Sequence, residues 1–233
     1  SEALALGEAE VVVFEINIEE SKNVANMQQL IAKLGLLPPG QTLRKLLAPE
    51  GRAKYERVLG ILGIPAVGLD PFRPWLASLT IGVQWIVSKG FDPNSGVDDK
   101  IWTAAKAAGK TLAHLESIEG QLGVFAGLTR DQEIEYLLIT VDQIGEAPQM
   151  LENLVAAWRK GETEKLDKLL NADMDNLPAL RDRVLKDRHE KWLPQIEAMI
   201  ADGRTHLIVV GTAHLVGKGS IIAMLREKGI KVE

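Results

Sequence analysis

The segment at residues 205–233 constrains the fold more than any other part of the chain. It opens with an apolar run at residues 206–210 and continues into a turn in which Gly211, Gly217 and Gly219 recur. A continuous apolar run bounded by turn residues is typical of a strand that is covered on both faces. We therefore predict a buried strand, a glycine-rich turn, a short amphipathic helix and a final strand.

His214 stands at the exit of this predicted strand, between Gly211 and Gly217. Ligands of parallel sheets gather where the chain leaves the carboxyl end of a strand, and glycine lets the backbone approach closely. A histidine in this place is a candidate metal ligand or proton carrier. The alternative is a histidine that hydrogen-bonds its own turn, and spacing alone favours neither.

Two further apolar runs, at residues 11–16 and 111–116, are predicted to form strands. The rest of the chain carries helical periodicity, above all in the segment 118–202. We therefore predict an α/β fold of mixed α+β type, in which a small central mixed sheet is wrapped by many helices. Residues 1–233 would form a single domain that includes this mostly helical segment.

Composition removes several classes of function. The net charge of -5 and the pI near 5.5 give no concentrated basic face, so we expect no nucleic-acid partner. The chain has no cysteine, which excludes disulfides and thiolate metal sites. The longest charge-free window, residues 74–88, is shorter than the roughly 20 apolar residues that span a bilayer. We expect a buried helix there and no transmembrane segment.

Two carboxylates end predicted strands as His214 does. Glu15 closes the first apolar run and Glu116 closes the second. Together the three residues would suit a divalent metal that activates water, because carboxylate oxygen and imidazole nitrogen are ordinary ligands of such ions. They would equally suit a metal-free acid/base pair. Either carboxylate taken alone could be an ordinary strand end that meets solvent.

The segment around Arg188 begins like the His-Glu-x-x-His helix of zinc proteases, but Leu193 occupies the second histidine position and the motif fails. Arg181 lies seven residues before Arg188, so the two share a face of a regular helix. Such arginines are ordinarily solvated or salt-bridged. The alternative is that they face an anionic group in a site.

Several short motifs, taken in order, resemble the TraB/GumN/Tiki family, and in particular its bacterial GumN-like branch. They run through nearly the whole chain and comprise Val-Val-Phe-Glu15, Pro74-Trp75, Gly96-Val97-Asp98, Gly109-Lys110, Leu115-Glu116, Gln121, Arg188, Trp192, Gly211-Thr-Ala-His214-Leu-Val-Gly217 and the ending from Leu225 to Val232. The most specific motif is the one that contains His214. The order and spacing of the set carry the rest of the resemblance.

The resemblance implies a fold similar to that of the erythromycin esterase and ChaN proteins. Animal Tiki members of the family are divalent-metal-dependent proteases, and members of the GumN branch are often exported. His214 matches the second of two family G-x-x-H motifs, and Glu15 and Glu116 match its acidic positions. The first G-x-x-H motif would lie upstream of Glu15, so we expect that this chain lacks the strand that carries it. A metal would then be held weakly or not at all.

The leading hypothesis is a metal-dependent hydrolase, most simply a peptidase that uses a metal-activated water. Glu15, Glu116 and His214 would hold the ion and take part in catalysis, and Arg188 would stabilise developing negative charge. Mn²⁺ is the expected ion, with Co²⁺ or Zn²⁺ as alternatives. The alternatives are a non-catalytic module that binds and sequesters a peptide, and an esterase-like hydrolase of a small molecule. The expected location is periplasmic or extracellular.

Overall fold

The computed structural model describes residues 2–146, 149–171 and 177–232. Its sheet has three strands in the order β2-β1-β3, and both pairs of neighbours are parallel. The strands are β1 Val11–Phe14, β2 Thr111–His114 and β3 His206–Val209. Each strand begins at the predicted residue and ends one or two residues before the predicted end.

Helices make up most of the remaining structure. In chain order they are α1 Glu2–Glu8, α2 Ile18–Ser21, α3 Val24–Leu34, α4 Leu43–Leu46, α5 Pro49–Leu62, α6 Ala66–Leu69, α7 Pro74–Ser88, α8 Val97–Ala107, α9 Ile118–Ala126, α10 Arg130–Glu146, α11 Met150–Lys160, α12 Thr163–Asn171, α13 Pro178–Arg181, α14 Asp187–Ala201 and α15 Ile221–Glu227. The part of the chain that the structure describes also contains two 3₁₀ turns, Pro93–Ser95 and Thr212–His214, and one π-helical turn, Asp182–Lys186. Within the described residues, no helix is both long enough and apolar enough to cross a membrane.

The connections between successive strands are helical. The chain runs from β1 to β2 through α2 to α8, and from β2 to β3 through α9 to α14, because a parallel neighbour needs a long crossover connection. The small sheet surrounded by helices confirms the predicted fold class. The sheet is parallel throughout, however, and not mixed. Within the described residues, which end at 232, the predicted final strand is also not formed. Ile230 and Val232 pack their side chains against the core, but their backbone does not pair with the sheet.

The central strand β1 is buried on both faces, since all four of its residues are inaccessible. One face contributes Val11 and Val13 to a cluster with residues of α14 and α15, and the other contributes Val12 and Phe14 to a cluster with Ala105 of α8. β3 pairs only with β1 and is half-buried at every position. Both faces of β3 are covered as predicted, because Ile208 packs against one core cluster and Leu207 and Val209 pack against the other. The cover is incomplete because β3 lies at the edge of the sheet.

A second core lies among the helices. α7 packs against α10, and α5 packs against both. The contacts bury Tyr55, Ile81 and Leu137 completely. α7 coincides with the charge-free window, and Pro74 occupies its first turn, where the missing N–H of proline costs no hydrogen bond. The predicted buried helix is confirmed.

Candidate functional site

Three chain segments bring polar groups to the carboxyl ends of the three strands. Glu15 directly follows β1, Glu116 comes two residues after β2, and His214 ends the 3₁₀ turn after β3. The backbone pairing continues past the assigned strands, because Leu115 N–H donates to the Phe14 carbonyl and Glu116 N–H donates to the Glu15 carbonyl, both at 2.9 Å. The two carboxylates therefore leave the sheet side by side.

Arg188 joins the three groups. Its Nη2 donates to Glu15 Oε2 and to Glu116 Oε1, each at 2.6 Å, and its Nε donates to Glu116 Oε1 at 3.1 Å. Its Nη1 lies 2.9 Å from His214 Nε2 and also donates to the Val184 carbonyl at 3.2 Å. The Arg188 side chain is 8 % exposed. We call Glu15, Glu116, Arg188 and His214 the strand-end cluster.

A π-helical turn delivers Arg188 to this position. α13 continues through the turn into α14, so the three form one helical segment with a wider turn inside it. Such turns often occur at functional sites, because the extra residue rotates the helix that follows. Arg188 consequently faces the strand-end cluster, whereas Arg181 lines a separate cavity. Arg188 is therefore salt-bridged, as arginines in such a pattern ordinarily are, and its partners are the two strand-end carboxylates.

Glu15 is held from several sides. Its Oε1 accepts from the Gly211 N–H at 2.6 Å, and its Oε2 accepts from Gln121 Nε2 at 3.2 Å in addition to Arg188. A Cβ atom at position 211 would lie 3.2 Å from Glu15 Oε1. The absence of a side chain at Gly211 thus lets the carboxylate approach the backbone. The Glu116 carboxylate has fewer hydrogen-bond partners, and Arg188 is its side-chain partner.

His189 extends the cluster inward. Its Nε2 lies 2.8 Å from His214 Nδ1, and its Nδ1 lies 2.9 Å from the Gly219 carbonyl. His189 and His214 are both buried, at 1 % and 4 % exposure. The Trp192 ring covers them, with its centroid 4.7 Å from that of His214 and 4.5 Å from the Arg188 guanidinium carbon.

Sequence reasoning missed His189, because it was considered only as part of a failed zinc-protease motif. A usable signal was present. His189, Trp192, Leu193 and Ile196 follow the i, i+3, i+4, i+7 spacing of one helix face, and all four are buried. A histidine on the apolar face of an amphipathic helix needs a polar partner inside the protein.

Burial keeps both imidazoles neutral. It lowers the pKa of His214 to about 4, against the opposing charge of Glu15 and with further lowering by Arg188 and His189. Burial also lowers the pKa of His189, although the hydrogen bond to the Gly219 carbonyl opposes the shift. With neutral imidazoles, two carboxylates face one guanidinium, and the strand-end cluster retains an excess of negative charge.

Asp98 is a further carboxyl group near this charge. It lies in the first turn of α8, and surrounding protein, then the charges of Glu15 and Asp99, raise its pKa. Asp98 is an exposed residue, but neighbouring protein partly desolvates its carboxyl group. A proton is therefore held more readily at Asp98 than at an ordinary aspartate.

Comparison with known proteins places the chain in a family. The model of the TraB/PrgY/gumN family matches residues 2–233. The chain belongs to this family. Uncharacterized protein YbaP of Escherichia coli (strain K12) is 23 % identical over 190 residues, which are 82 % of the present chain and 70 % of that protein. The protein of the same name from Shigella flexneri matches to the same extent. No solved structure matches the chain.

Membership of the TraB/PrgY/gumN family confirms the resemblance that the motifs indicated. Those motifs meet in space at several points. Gln121 and Gly211 bind Glu15, and Trp192 covers Arg188 and His214. The strand-end cluster is therefore assembled largely from the segments that carry the family resemblance.

The metal that the family resemblance implies can be tested against the donor atoms of this cluster. Glu15 Oε2, Glu116 Oε1 and His214 Nε2 lie 2.6, 2.6 and 2.9 Å from nitrogens of the same guanidinium, so their lone pairs converge on one positive charge. These donor types suit a hard divalent ion. The Arg188 guanidinium itself fills the space between them. Within residues 2–146, 149–171 and 177–232, no group of three or more His, Asp or Glu side chains is arranged as a metal site.

A cavity of about 680 Å³ lies beside the cluster. His189, Gly219 and Ser220 form part of its lining, together with charged residues of both signs: Asp167, Arg181, Asp182, Lys186, Glu190 and Lys218. The described lining contains no member of the strand-end cluster. His189 therefore connects the two, because it lines the cavity and contacts His214.

Proposed function

We propose that this TraB/PrgY/gumN family chain carries the catalytic site of a hydrolase that cleaves a peptide bond. The supporting observation is the meeting of Glu15, Glu116, Arg188 and His214 at the carboxyl ends of parallel strands, where such sheets bind ligands. The carboxylates are 18 % and 14 % exposed, so a substrate can reach them. A binding module would have no need for this convergence.

The proposed reaction adds water across the amide. One carboxylate takes a proton from the attacking water as its oxygen bonds to the carbonyl carbon, and the proton is then passed to the departing amine as the C–N bond breaks. Glu116 is the better candidate for this base, since Glu15 is also fixed by Gly211 and Gln121. Arg188 stabilises the negative charge that develops on the carbonyl oxygen.

A divalent cation, with Mn²⁺ as the first choice, is part of this proposal. Glu15, Glu116 and His214 would hold it in place of the Arg188 guanidinium, and in that form of the reaction the cation would take over the activation of water that Glu116 performs in its absence. When bound, such an ion polarises a carbonyl and makes a bound water more acidic. Arg188 then supplies its positive charge from the side of the site. The proposed location outside the cytoplasm follows from the family resemblance alone.

The experiment is a cleavage screen on a peptide library with added Mn²⁺, in which mass spectrometry detects new termini. We expect cleavage by the wild-type chain and a loss of at least about 100-fold in Glu15→Gln and Glu116→Gln. Glu19→Gln is the matched control, because Glu19 is an exposed glutamate that pairs with Lys106, and it should retain full activity. Equal activity in all variants would contradict the proposal.

Peptide sequestration without cleavage is the second candidate. It is favoured by one observation, namely that Arg188 already satisfies both carboxylates and His214 Nε2. The same library separates the two candidates. A peptide that is retained intact by the wild-type chain, with equal retention by Glu116→Gln, would support sequestration and remove the hydrolase.

A further inference from the structure

We infer that His189 is a positioning residue that holds His214 in one neutral tautomer, with the proton on Nδ1 and the Nε2 lone pair directed at the carboxylates and Arg188. The inference deepens the proposed function, since it states how the cluster keeps a basic nitrogen available. It rests on the contacts of three side chains and one carbonyl. It can be tested without a substrate.

The two ends of the hydrogen-bonded chain fix its direction. A guanidinium carries only donors, so the 2.9 Å contact between Arg188 Nη1 and His214 Nε2 requires that Nε2 accept. In a neutral imidazole the other nitrogen then carries the proton. His214 Nδ1 therefore donates to His189 Nε2 at 2.8 Å.

The same reasoning applies to His189. Because its Nε2 accepts from His214, its proton lies on Nδ1, which donates to the Gly219 carbonyl at 2.9 Å. A carbonyl only accepts, so this end of the chain is fixed as well. One arrangement of protons satisfies all three contacts, and it runs from Arg188 through both imidazoles to Gly219.

Other arrangements place two donors against each other. A proton on His214 Nε2 would face an Arg188 N–H across 2.9 Å. A doubly protonated His189 would direct an N–H at His214 Nδ1 and force the His214 proton onto Nε2, with the same result. Both rings are buried, where an unpaired donor costs the full desolvation of that group.

The glycine spacing of the sequence supplies the anchor. Gly219 has a φ of +81°, in the left-handed region that favours glycine. Ser220 follows it and accepts from the Ala223 N–H at the beginning of α15. The Gly219 carbonyl is thus held between a glycine-specific turn and a helix cap.

The proposed cation requires the Arg188 guanidinium to leave its place among the donor atoms of the cluster. His214 then presents a lone pair on Nε2 toward the two carboxylates, because His189 keeps the proton on the opposite nitrogen. Without His189 the proton could move to either nitrogen of His214. Groups that orient a ligand histidine in this way typically change affinity or activity by 10–100-fold when they are replaced.

The test is imidazole tautomer assignment by long-range ¹H–¹⁵N NMR of the ¹⁵N-labelled full chain in the presence of a chelator. The chain has four histidines, so single substitutions assign every signal. We expect the neutral Nδ1–H pattern for both His189 and His214. An Nε2–H or doubly protonated pattern for His214 in the wild-type chain would overturn the inference, and this outcome needs no variant to fold.

Two variants separate positioning from simple packing. His189→Gln keeps an acceptor near the place of Nε2 and should preserve the Nδ1–H tautomer of His214. His189→Leu removes the acceptor and should convert His214 to the Nε2–H form or to a mixture. His206→Gln, at the beginning of β3, is the control and should leave His214 unchanged. An unchanged His214 tautomer in His189→Leu would overturn the inference.

Cleavage kinetics give a second readout once a peptide is identified. His189→Leu should lower kcat by about 10–100-fold with little change in KM, and His189→Gln should restore most of the loss. A chain that cleaves nothing but shows the expected tautomers would remove the proposed function and keep the inference. A chain that cleaves peptides with His214 in the Nε2–H form would do the reverse.

Discussion

A half-buried arginine, Arg73, and a buried one, Arg188, use their hydrogen-bond donors in different ways. Arg73, at the beginning of α7, binds Glu133 and also donates to the carbonyls of Leu34 and Ala126, at 2.9 and 2.8 Å. Glu133 is only 1 % exposed. This arginine ties the ends of α3 and α9 to α7 and α10, and it leaves no accessible carboxylate.

Arg188 directs its donors mainly to side chains from three strand ends, and both of its carboxylates reach solvent. Both arginines pair with glutamates, but the surroundings of these pairs differ. Bonds to main-chain carbonyls fix an arginine in the scaffold, whereas bonds to accessible side chains can be exchanged for a ligand. We therefore expect Arg73 to contribute mainly to stability and Arg188 to the proposed site.

Replacing Arg73 should have the largest effect on stability. Arg73→Met leaves the buried Glu133 with Arg130, at 3.3 Å, as its remaining charged partner. We expect the free energy of unfolding to fall by about 3 kcal/mol, as for a buried pair that loses one partner. Urea denaturation measures it.

The control for Arg73 is Arg52→Met, which breaks an exposed i,i+4 pair with Glu56. Its effect should stay below about 0.5 kcal/mol. If both variants lose the same free energy of unfolding, Arg73 does not tie the helices together, and the contrast with Arg188 is lost.

The neutral state of His214 predicts a pH dependence of stability. The pKa of His214 falls from 6.5 to about 4 on folding, mainly through burial. Between these values the unfolded chain binds a proton that the folded chain does not, so stability is lost as the pH falls through this window. The loss should reach about 3 kcal/mol. Urea unfolding measures the slope when it is repeated in the presence of a chelator at several pH values from about 4.5 to about 7, which cover most of the window between the two pKa values.

His214→Gln should reduce the slope of stability against pH. The slope that remains in this variant comes from His189, whose pKa is also lowered. Glu15 and Arg188 face His214 in both the wild-type chain and the variant, so they do not account for the difference. The control is His206→Gln. A slope that is the same in His214→Gln as in the wild-type chain would show that His214 binds its proton normally.

Removing the Arg188 charge should favour a cation. Because the guanidinium lies among the donor atoms of Glu15, Glu116 and His214, Arg188→Met should raise the affinity for Mn²⁺ by about tenfold, or about 1.4 kcal/mol. Isothermal titration calorimetry measures it. Arg181→Met is the control, since Arg181 lies outside the cluster, and it should leave Mn²⁺ binding as in the wild-type chain. Weaker binding in Arg188→Met, or none, would contradict the proposed cation.

The strand ends were the predictable part of this site. Glu15, Glu116 and His214 each follow an apolar run, and parallel strands bring their carboxyl ends to the same edge. The relative direction of the strands could not be predicted, because an apolar run carries no information on whether the neighbouring strand is parallel or antiparallel. The mixed sheet was wrong for this reason. The prediction of a strand for the last apolar residues was wrong, because Ile230 and Val232 are partly covered by side-chain packing without joining the sheet.

The position of Arg188 could not be predicted from helical spacing, whereas the apolar face shared by His189, Trp192 and Leu193 did carry a signal. A regular helix puts residues seven apart on the same face, and on that basis Arg181 and Arg188 share their surroundings. The π-helical turn Asp182–Lys186 between them changes the phase of the helix. Arg188 then enters the cluster while Arg181 remains at the cavity. The turn depends on tertiary packing, and the local sequence gives no signal for it.

The smallest expected effect concerns two glycines and has opposite signs at the two positions. Gly211 has a φ of -59°, which any residue can adopt, so Gly211→Ala introduces no backbone strain. Its new Cβ would lie 3.2 Å from Glu15 Oε1 and displace the carboxylate from the Gly211 N–H. We expect a loss of about 1 kcal/mol in the free energy of unfolding, equal to one weakened hydrogen bond.

Gly60 lies inside α5, and a Cβ at that position would meet nothing within 4 Å. Gly60→Ala should therefore stabilise the chain by about 0.5–1 kcal/mol, through helix propensity alone. Urea denaturation of both variants tests the difference, and calorimetry should show weaker Mn²⁺ binding only in Gly211→Ala. If Gly211→Ala is as stabilising as Gly60→Ala, the carboxylate does not depend on the backbone at position 211. Glu15 would then be held by Arg188 and Gln121 alone, and Arg188 would belong with Arg73 among the residues that maintain the fold.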